Sequence, residues 1–386
     1  MAYFDNASTT FPKPTAVYDF MDEYYRKQGG SVGRGNYKMS LSSGELISET
    51  RLLIQELFHA GNKQVIFTPT ATIALNIVIQ GMIKELTKTK RKLNVYISPF
   101  EHNAVTRVLE YYKKLESINV YTLVVSSNYE YDLKRQNVAY SENAPDIIIM
   151  SHASNVSGLV SPVVEIFNQA KKYNAVTLLD MAQTAGLIDI NLGLECIDAA
   201  VFAGHKTLYG PTGISGFVIK QNLKPEPVLF GGTGYDSANQ DMPSDMPERY
   251  EMGTINISGV AGLNAALKWI NNIGINQIYD EEQKKRTELL QLLKGYDYIN
   301  LIGIDKDRDY VGIISCVLKG ISSDSAGALF DRLGISVRTG LECAPLAHKF
   351  YNTYPSGTVR FSVSYFTEDN DFDELKNALD YIDGEL

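Results

Sequence analysis

One lysine stands where a strand would deliver it to a turn. Lys206 ends the phrase Ala199-Ala-Val-Phe-Ala-Gly-His205-Lys206, and Thr-Leu-Tyr-Gly-Pro-Thr-Gly213 follows. A strand places side chains accurately, and the glycine-rich turn leaves the amine open at its mouth. Upstream, the apolar run Val176-Thr-Leu-Leu-Asp180 ends on an acid, with Gln183 three residues on. An amine able to form a Schiff base, plus a buried acid facing a pyridine nitrogen, is the minimum set for pyridoxal phosphate chemistry. The acid keeps the ring nitrogen protonated and the ring an electron sink. Gln183 could hydrogen-bond the ring's phenolic oxygen. Alone, Asp180 could equally be a helix N-cap and Lys206 a solvated lysine; the combination points to a cofactor.

Other residues extend the pattern. Thr70-Ala71-Thr72-Ile-Ala-Leu-Asn76 follows a strand and opens a helix. Its backbone N–H groups and the Thr72 hydroxyl make either a phosphate site or a plain N-cap. Gly210-Pro-Thr-Gly213-Ile-Ser-Gly216 precedes a strand rather than opening a helix, so it is no dinucleotide fingerprint, and Gly204-His205-Lys206-Thr207 lacks the Gly-Lys adjacency of a P-loop. His102, in Ser98-Pro-Phe-Glu-His102, follows a strand, where an imidazole could stack on a flat ring and shuttle a proton. Cys343 stands in the polar segment Val337-Arg338-Thr-Gly-Leu-Glu-Cys343-Ala-Pro-Leu-Ala-His348. Arg338 and His348 would lower its pKa; Glu342 beside it would raise it and slow it as a nucleophile. Cys196 and Cys316 lie in apolar contexts and read as inert. Arg360 sits inside the strand pattern Thr358-Val-Arg360-Phe-Ser, and its planar fork suits an amino-acid carboxylate. No metal site is expected.

The elements that must hold these residues alternate. Strand candidates are Val65–Phe67, Leu93–Ile97, Val120–Val125, Asp146–Met150, Val176–Leu179, Ala199–Phe202 and Ile214–Ile219, with amphipathic stretches such as 72–86, 104–115 and 163–173 between them. Fully apolar strands alternating with helices mean a mostly parallel sheet covered on both faces. In such sheets ligands gather beyond the carboxyl ends of the strands. Asp180 and Lys206 fall at such ends, and His102 and Asn155 lie shortly past two others. Residues 231–253 read as irregular loop and 257–293 as one long helix, with a domain boundary near 255. Strands near 311–318 and 358–362 and helices near 323–333 and 372–382 make a small α/β domain.

The chain has 386 residues, 44% hydrophobic and 21% charged, enough for two domains. A net charge of -9 gives no basic face for nucleic acid and favours small-molecule substrates. Three scattered cysteines read as reduced thiols of a cytosolic protein. The N-terminus shows no export signal, and no apolar run approaches the roughly 20 residues of a membrane span.

With these residues assembled, the chain resembles the class V aminotransferases of pyridoxal phosphate fold type I, and within them the cysteine desulfurase and selenocysteine lyase group. The blocks run through nearly the whole chain: Phe4-Asp-Asn-Ala-Ser-Thr-Thr10, Gly33-Arg34-Gly35, Glu101-His102-Asn103, Ser154-Asn155-Val-Ser-Gly158, Asp180-Met-Ala-Gln183, Gly204-His205-Lys206, Glu251-Met-Gly-Thr254-Ile-Asn256 and Arg338-Thr-Gly-Leu-Glu-Cys343. The resemblance implies residues 1–15 as an N-terminal segment on the small domain, 16–254 as a large domain with a mostly parallel seven-stranded sheet, and 255–386 as a small C-terminal α/β domain. It implies Lys206 as the Schiff-base lysine that moves the substrate's Cα proton, and His102 as ring-stacking acid-base group. Asp180 would pair with the ring nitrogen and Gln183 with the phenolic oxygen. Ala71, Thr72 and His205 would hold the phosphate, and Thr254 would hold it from the neighbouring subunit of a homodimer. Asn155 and Arg360 would bind the substrate carboxylate, with Arg34 near. Cys343 would take sulfur from L-cysteine as a persulfide, leaving L-alanine, for a sulfur-acceptor protein. The chain departs from the family's habit at Ile73, Ala203, Glu342 and Gly35-Asn36-Tyr37. The alternatives are transamination or C–S lysis of another amino acid, and a weakly active sulfur carrier.

Overall fold

The computed structural model describes residues 1–30, 37–235 and 237–385. A short strand β1 (Ala2–Tyr3) leads to helices α1 (Thr15–Gln28) and α2 (Lys38–Leu57). Strands and helices then alternate: β2 (Gln64–Thr68), α3 (Ala71–Thr87), β3 (Leu93–Ile97), α4 (Asn103–Lys114), β4 (Ile118–Thr122), α5 (Leu133–Glu142), β5 (Ile147–Ser151), α6 (Val163–Lys171) and β6 (Val176–Asp180). Two strands follow without an intervening helix, β7 (Ala199–Ala203) and β8 (Ser215–Ile219).

These strands form one sheet in the order β2-β8-β7-β6-β5-β3-β4. Four of its six pairings are parallel; β8 runs antiparallel to both β2 and β7. Every residue of β5 is buried, as expected of a strand covered on both faces. Its side chains alternate between two cores. Ile147 and Ile149 pack with α3 and α4, Ile148 and Met150 with α2 and α6. All seven candidate strands are present. The edge strand β4 begins at Ile118 and stops at Thr122 rather than running from Val120 to Val125, because its partner β3 ends at Ile97.

The 257–293 pattern divides into two helices, α7 (Ile257–Ile273) and α8 (Ile275–Lys294). Gly274 between them adopts φ +94° and ψ 131°, a conformation only glycine enters freely. α7 packs on α1 and α2 within the same core as the large sheet, so the expected boundary at 255 falls ahead of a helix that sides with that sheet. The rest is β9 (Ile299–Ile302), β10 (Ile313–Leu318), α9 (Ser323–Arg332), β11 (Ile335–Ser336), β12 (Arg338–Gly340), α10 (Pro345–Phe350), β13 (Thr358–Ser362) and α11 (Asp369–Glu385). An antiparallel sheet, β12-β13-β10-β9, is backed by a third core to which Ala2 and Phe4 also belong, and β1 pairs parallel with β11. Among the described residues no helix is long and apolar enough to cross a membrane.

Candidate active site

The carboxyl ends of the parallel strands close on one cavity of about 240 Å³. β6 ends on Asp180 and β7 feeds the turn carrying His205 and Lys206, while His102 lies beyond β3 as the N-cap of α4. All four residues line the cavity, together with Ala71, Thr72, Asn155 and Gln183. The turn is held close to the sheet. A Cβ on Gly204 would collide with the Ile214 carbonyl oxygen, so no larger residue fits at 204 without moving the backbone that leads into β8.

The electrostatics follow from burial. Asp180 accepts a hydrogen bond from the Ala182 N–H (2.9 Å), and burial pushes its carboxyl above the usual range, against that bond and the nearby Lys206 charge. Lys206 is lowered to about 8 by burial and by the Arg360 charge, with Asp180 opposing. No hydrogen bond reaches its amine among the described residues. The Ala104 N–H donates to His102 Nδ1 (3.0 Å), so a neutral ring carries its proton on Nε2. Burial, with Lys206, Arg360 and Arg107 adding to it, brings His102 down to about 4 and keeps it neutral. His205 is lowered to about 4 chiefly by burial, and its Nδ1 is buried without a partner. At the start of α3 the Thr70 hydroxyl accepts from the Ile73 N–H (3.2 Å), which leaves the Ala71 and Thr72 N–H groups at the cavity wall. Ile73 thus contributes its backbone to the cap, and its side chain packs half-buried against the core that α3 and α4 share.

A second, wider hollow of about 520 Å³ adjoins the first and shares Thr72, His102 and Ala104 with it. Cys343, exposed, lies in this outer hollow. Its neighbour Glu342 turns inward: the carboxylate is buried and bonded to His348 Nε2 (2.7 Å) and the Thr358 hydroxyl (3.3 Å). His348 is fully buried and engaged with Glu342. Cys316 is buried, and burial pushes its thiol up to about 12; Cys196 is buried as well, and its thiol is raised chiefly for the same reason.

Arg360 is nearly fully buried and stands behind the cavity. Its guanidinium donates to the Asn155 carbonyl (2.9 Å), to Asp5 (3.0 Å) and to the Ser8 hydroxyl (2.9 Å), and its Nε has no partner. Asn155 Nδ2 donates to the Glu342 carbonyl (2.7 Å), and Gln183 Nε2 to the Ala7 carbonyl (3.0 Å). Thr254 is exposed and lies away from the cavity, in a separate hollow with Ile73 and Tyr250. Arg34, with Gly33, Gly35 and Asn36, lies outside the described residues. No group of His, Cys, Asp and Glu able to hold a metal exists among the described residues.

Three contributors escaped the sequence reading. Glu101 is wholly buried beneath the site; its carboxylate accepts from Ser98, the Ser151 N–H and the Ser151 hydroxyl, and burial raises it to about 7. An acid four residues past the end of an apolar strand was the available signal. The N-terminal segment clamps the lysine turn: Thr10 bonds the carbonyls of His205 and Lys206, and Lys13 bonds that of His205 (2.6 Å). The Asn103 N–H donates to the Cys343 carbonyl (2.6 Å). Neither pairing leaves a trace in local spacing.

Comparison with known proteins agrees with this arrangement. The family model for class-V aminotransferases matches residues 2–375. A probable cysteine desulfurase of Methanothermobacter thermautotrophicus is 30% identical over 99% of this chain and 94% of its own length. A cysteine desulfurase of Escherichia coli O9:H4 is 28% identical over 99% and 93%. Among solved structures, the apo structure of a cysteine desulfurase from Thermococcus onnurineus NA1 superposes with a TM-score of 0.88 at 26% identity, covering 100% of this chain and 95% of that one.

Proposed function

Because the chain belongs to the class-V aminotransferase family, we propose that it is a pyridoxal-phosphate-dependent cysteine desulfurase, converting L-cysteine to L-alanine and leaving the sulfur on Cys343 as a persulfide. The observation that carries this reading is the shared wall between the two hollows: Thr72, His102 and Ala104 border both the cavity of Lys206 and Asp180 and the outer hollow of Cys343. The hollow that holds the thiol and the cavity that holds the buried amine thus adjoin, which supports a transfer between them.

The residues fit the cofactor. Asp180 has one oxygen bonded to Ala182 and one left to accept from a ring N–H. The buried, unpartnered Nδ1 of His205 and the orphan N–H groups of Ala71 and Thr72 are the donors a phosphate needs. When bound, pyridoxal phosphate supplies the carbonyl that captures the substrate amine and the electron sink that labilises bonds at its Cα. Lys206, with its amine lowered toward neutrality, takes and returns the Cα proton. His102 stays neutral and holds a proton on Nε2 for the reacting centre. Asn155 and Arg360 bind the substrate carboxylate, with Arg360 loosening its bond to Asp5; the free Nε supports this. Gln183, at the cavity wall, would hold the cofactor's phenolic oxygen. Cys343 attacks the substrate's sulfur: a sulfur–sulfur bond forms, and the electrons of the carbon–sulfur bond stay with the carbon, which is protonated to the methyl of alanine. No outside oxidant or reductant is required. Thr254, exposed and away from its own cavity, would complete the site of a partner subunit in a homodimer, and an acceptor protein in the cytoplasm would collect the sulfur.

The test is alanine and sulfide production from L-cysteine with a thiol reductant. Wild type should make both in equal amounts, and Cys343→Ala should lose at least about a hundredfold in sulfide release. Undiminished release from Cys343→Ala, or faster turnover of a non-thiol amino acid with a keto acid, would replace desulfuration with C–S lysis or transamination.

A further inference from the structure

The turn that carries Cys343 is held in an unfavourable shape. Glu342 and Cys343 both have positive φ, 38° and 58°, two left-handed non-glycine residues in succession. Each such residue is strained by its Cβ, so the shape persists only if bonds from outside fix it. Two of these bonds come from the large sheet's side and reach main-chain atoms. Asn155 donates to the Glu342 carbonyl (2.7 Å), and the Asn103 N–H to the Cys343 carbonyl (2.6 Å). The anchor on the other side is a single side chain. Glu342 is buried, bonds His348 Nε2 on α10 at 2.7 Å, and accepts from the Thr358 hydroxyl on β13 at 3.3 Å. His348 is in turn fixed by Thr353 through Nδ1 (2.8 Å). The exposed thiol therefore follows immediately after a buried acid whose position is set by two elements of the small domain.

We infer that Glu342 is a positioning residue: through its buried bond to His348 it fixes the turn that presents Cys343 toward the cavity of Lys206. This rests on the reading of Cys343 as the sulfur acceptor, yet part of it is testable without that reading. A glutamate in this role has a physical reason. It is long enough to span from the turn to α10 while its own backbone remains beside Asn155. A hydrophobic residue of similar volume would fill the space but leave His348 Nε2 buried without a partner, and the left-handed turn without its small-domain tether.

The experiment compares wild-type holoenzyme with Glu342→Ala, Glu342→Asp and Glu342→Gln by three measurements. The first is sulfide release from L-cysteine. The second is exchange of the Cα proton of L-alanine with deuterated solvent, which needs the cavity but no thiol. The third is amide hydrogen exchange at Asn103 and Ala344, whose N–H groups bond Cys343 and Leu341. Glu342→Ala should lower sulfide release at least tenfold, leave Cα exchange within twofold and speed both amides at least tenfold. Glu342→Asp, one methylene short of His348, should show the same split and serves if the alanine variant does not fold. Glu342→Gln keeps an acceptor for His348 and should remain within threefold of wild type throughout. Wild-type sulfide release by the alanine and aspartate variants, a parallel loss of Cα exchange, or unchanged amides would each overturn the role. Failure of the desulfurase reading looks different: Cys343→Ala would retain full sulfide release while the amide result still decides whether Glu342 holds the turn.

Discussion

At the scale of single residues, the environment decides which protonation state each group offers. Lys206 shows it most directly. Burial and the Arg360 charge bring its amine down to about 8, against an ordinary lysine value of 10.5. The neutral amine is the form that attacks a carbonyl, so its fraction rises with pH and saturates once pH passes the pKa. In cofactor-stripped protein, the rate of pyridoxal phosphate uptake should therefore climb about tenfold from pH 7 to pH 9 and level off. An unperturbed lysine would still be climbing at pH 9, having gained about a hundredfold, and stopped-flow absorbance separates the two. The placement of Lys206, Asp180 and His102 around one cavity was legible in the sequence because each lies at or shortly past the carboxyl end of an apolar strand. That of Glu342 was not. Adjacency to Cys343 suggested a like-charge neighbour, but the left-handed backbone at 342 and 343 and the bond to His348 turn its carboxylate inward. Side-chain direction in an irregular turn depends on partners remote in sequence, which spacing does not carry.

At the scale of elements, apolar strands announced themselves and polar ones did not. β5, with Ile147-Ile-Ile-Met-Ser151, is buried throughout and is unmistakable. β12, Arg338-Thr-Gly340, owes its extended shape to pairing with β13, so nothing in its own residues demanded it. The helix reading of 257–293 failed for a different reason. Apolar periodicity continues across Gly274, and only the glycine marks the break. Its φ of +94° with ψ 131° lies in a region costly for any side chain, although a Cβ there would meet no atom within 4 Å. Gly274→Ala should accordingly destabilise the protein by about 1–3 kcal/mol through backbone strain alone. The measurement is the urea midpoint at constant slope. An unchanged midpoint would mean that α7 and α8 can merge or re-angle at no cost. Since α7 packs on the large sheet's core and α8 carries residues of the small one, the angle at Gly274 helps set how the two are joined.

At the scale of the whole molecule, the joint itself holds an acid. Glu282 on α8 is wholly buried where the N-terminal segment (Asn6, Thr10), the lysine turn (Thr207) and the small sheet (Ser362) meet. Its carboxyl accepts from the Gly312 N–H (2.9 Å), and a Cβ at Gly312 would stand 2.7 Å from the same oxygen. Burial raises it to about 7, opposed by that bond and by Lys285. A carboxyl whose folded pKa lies above its unfolded one near 4.5 binds its proton more tightly in the native state. The stability it adds is full below about pH 4.5 and is lost as pH rises through about 7. Buried histidines act in the opposite sense: His152 is lowered to about 4, so protonating the unfolded chain below pH 6.5 weakens the fold as pH falls. The two effects oppose one another between pH 4.5 and 6.5, and the loss due to Glu282, which the buried Glu101 shares, continues toward neutrality. Glu282→Gln preserves an acceptor for Gly312 and cannot ionise. Relative to wild type, this variant should gain about 2–3 kcal/mol of unfolding free energy between pH 5 and pH 8, read from urea titrations at matched protein concentration. Parallel profiles for the two proteins would mean that water reaches Glu282 and that the seam between the N-terminal segment, the lysine turn and the small sheet is open in solution.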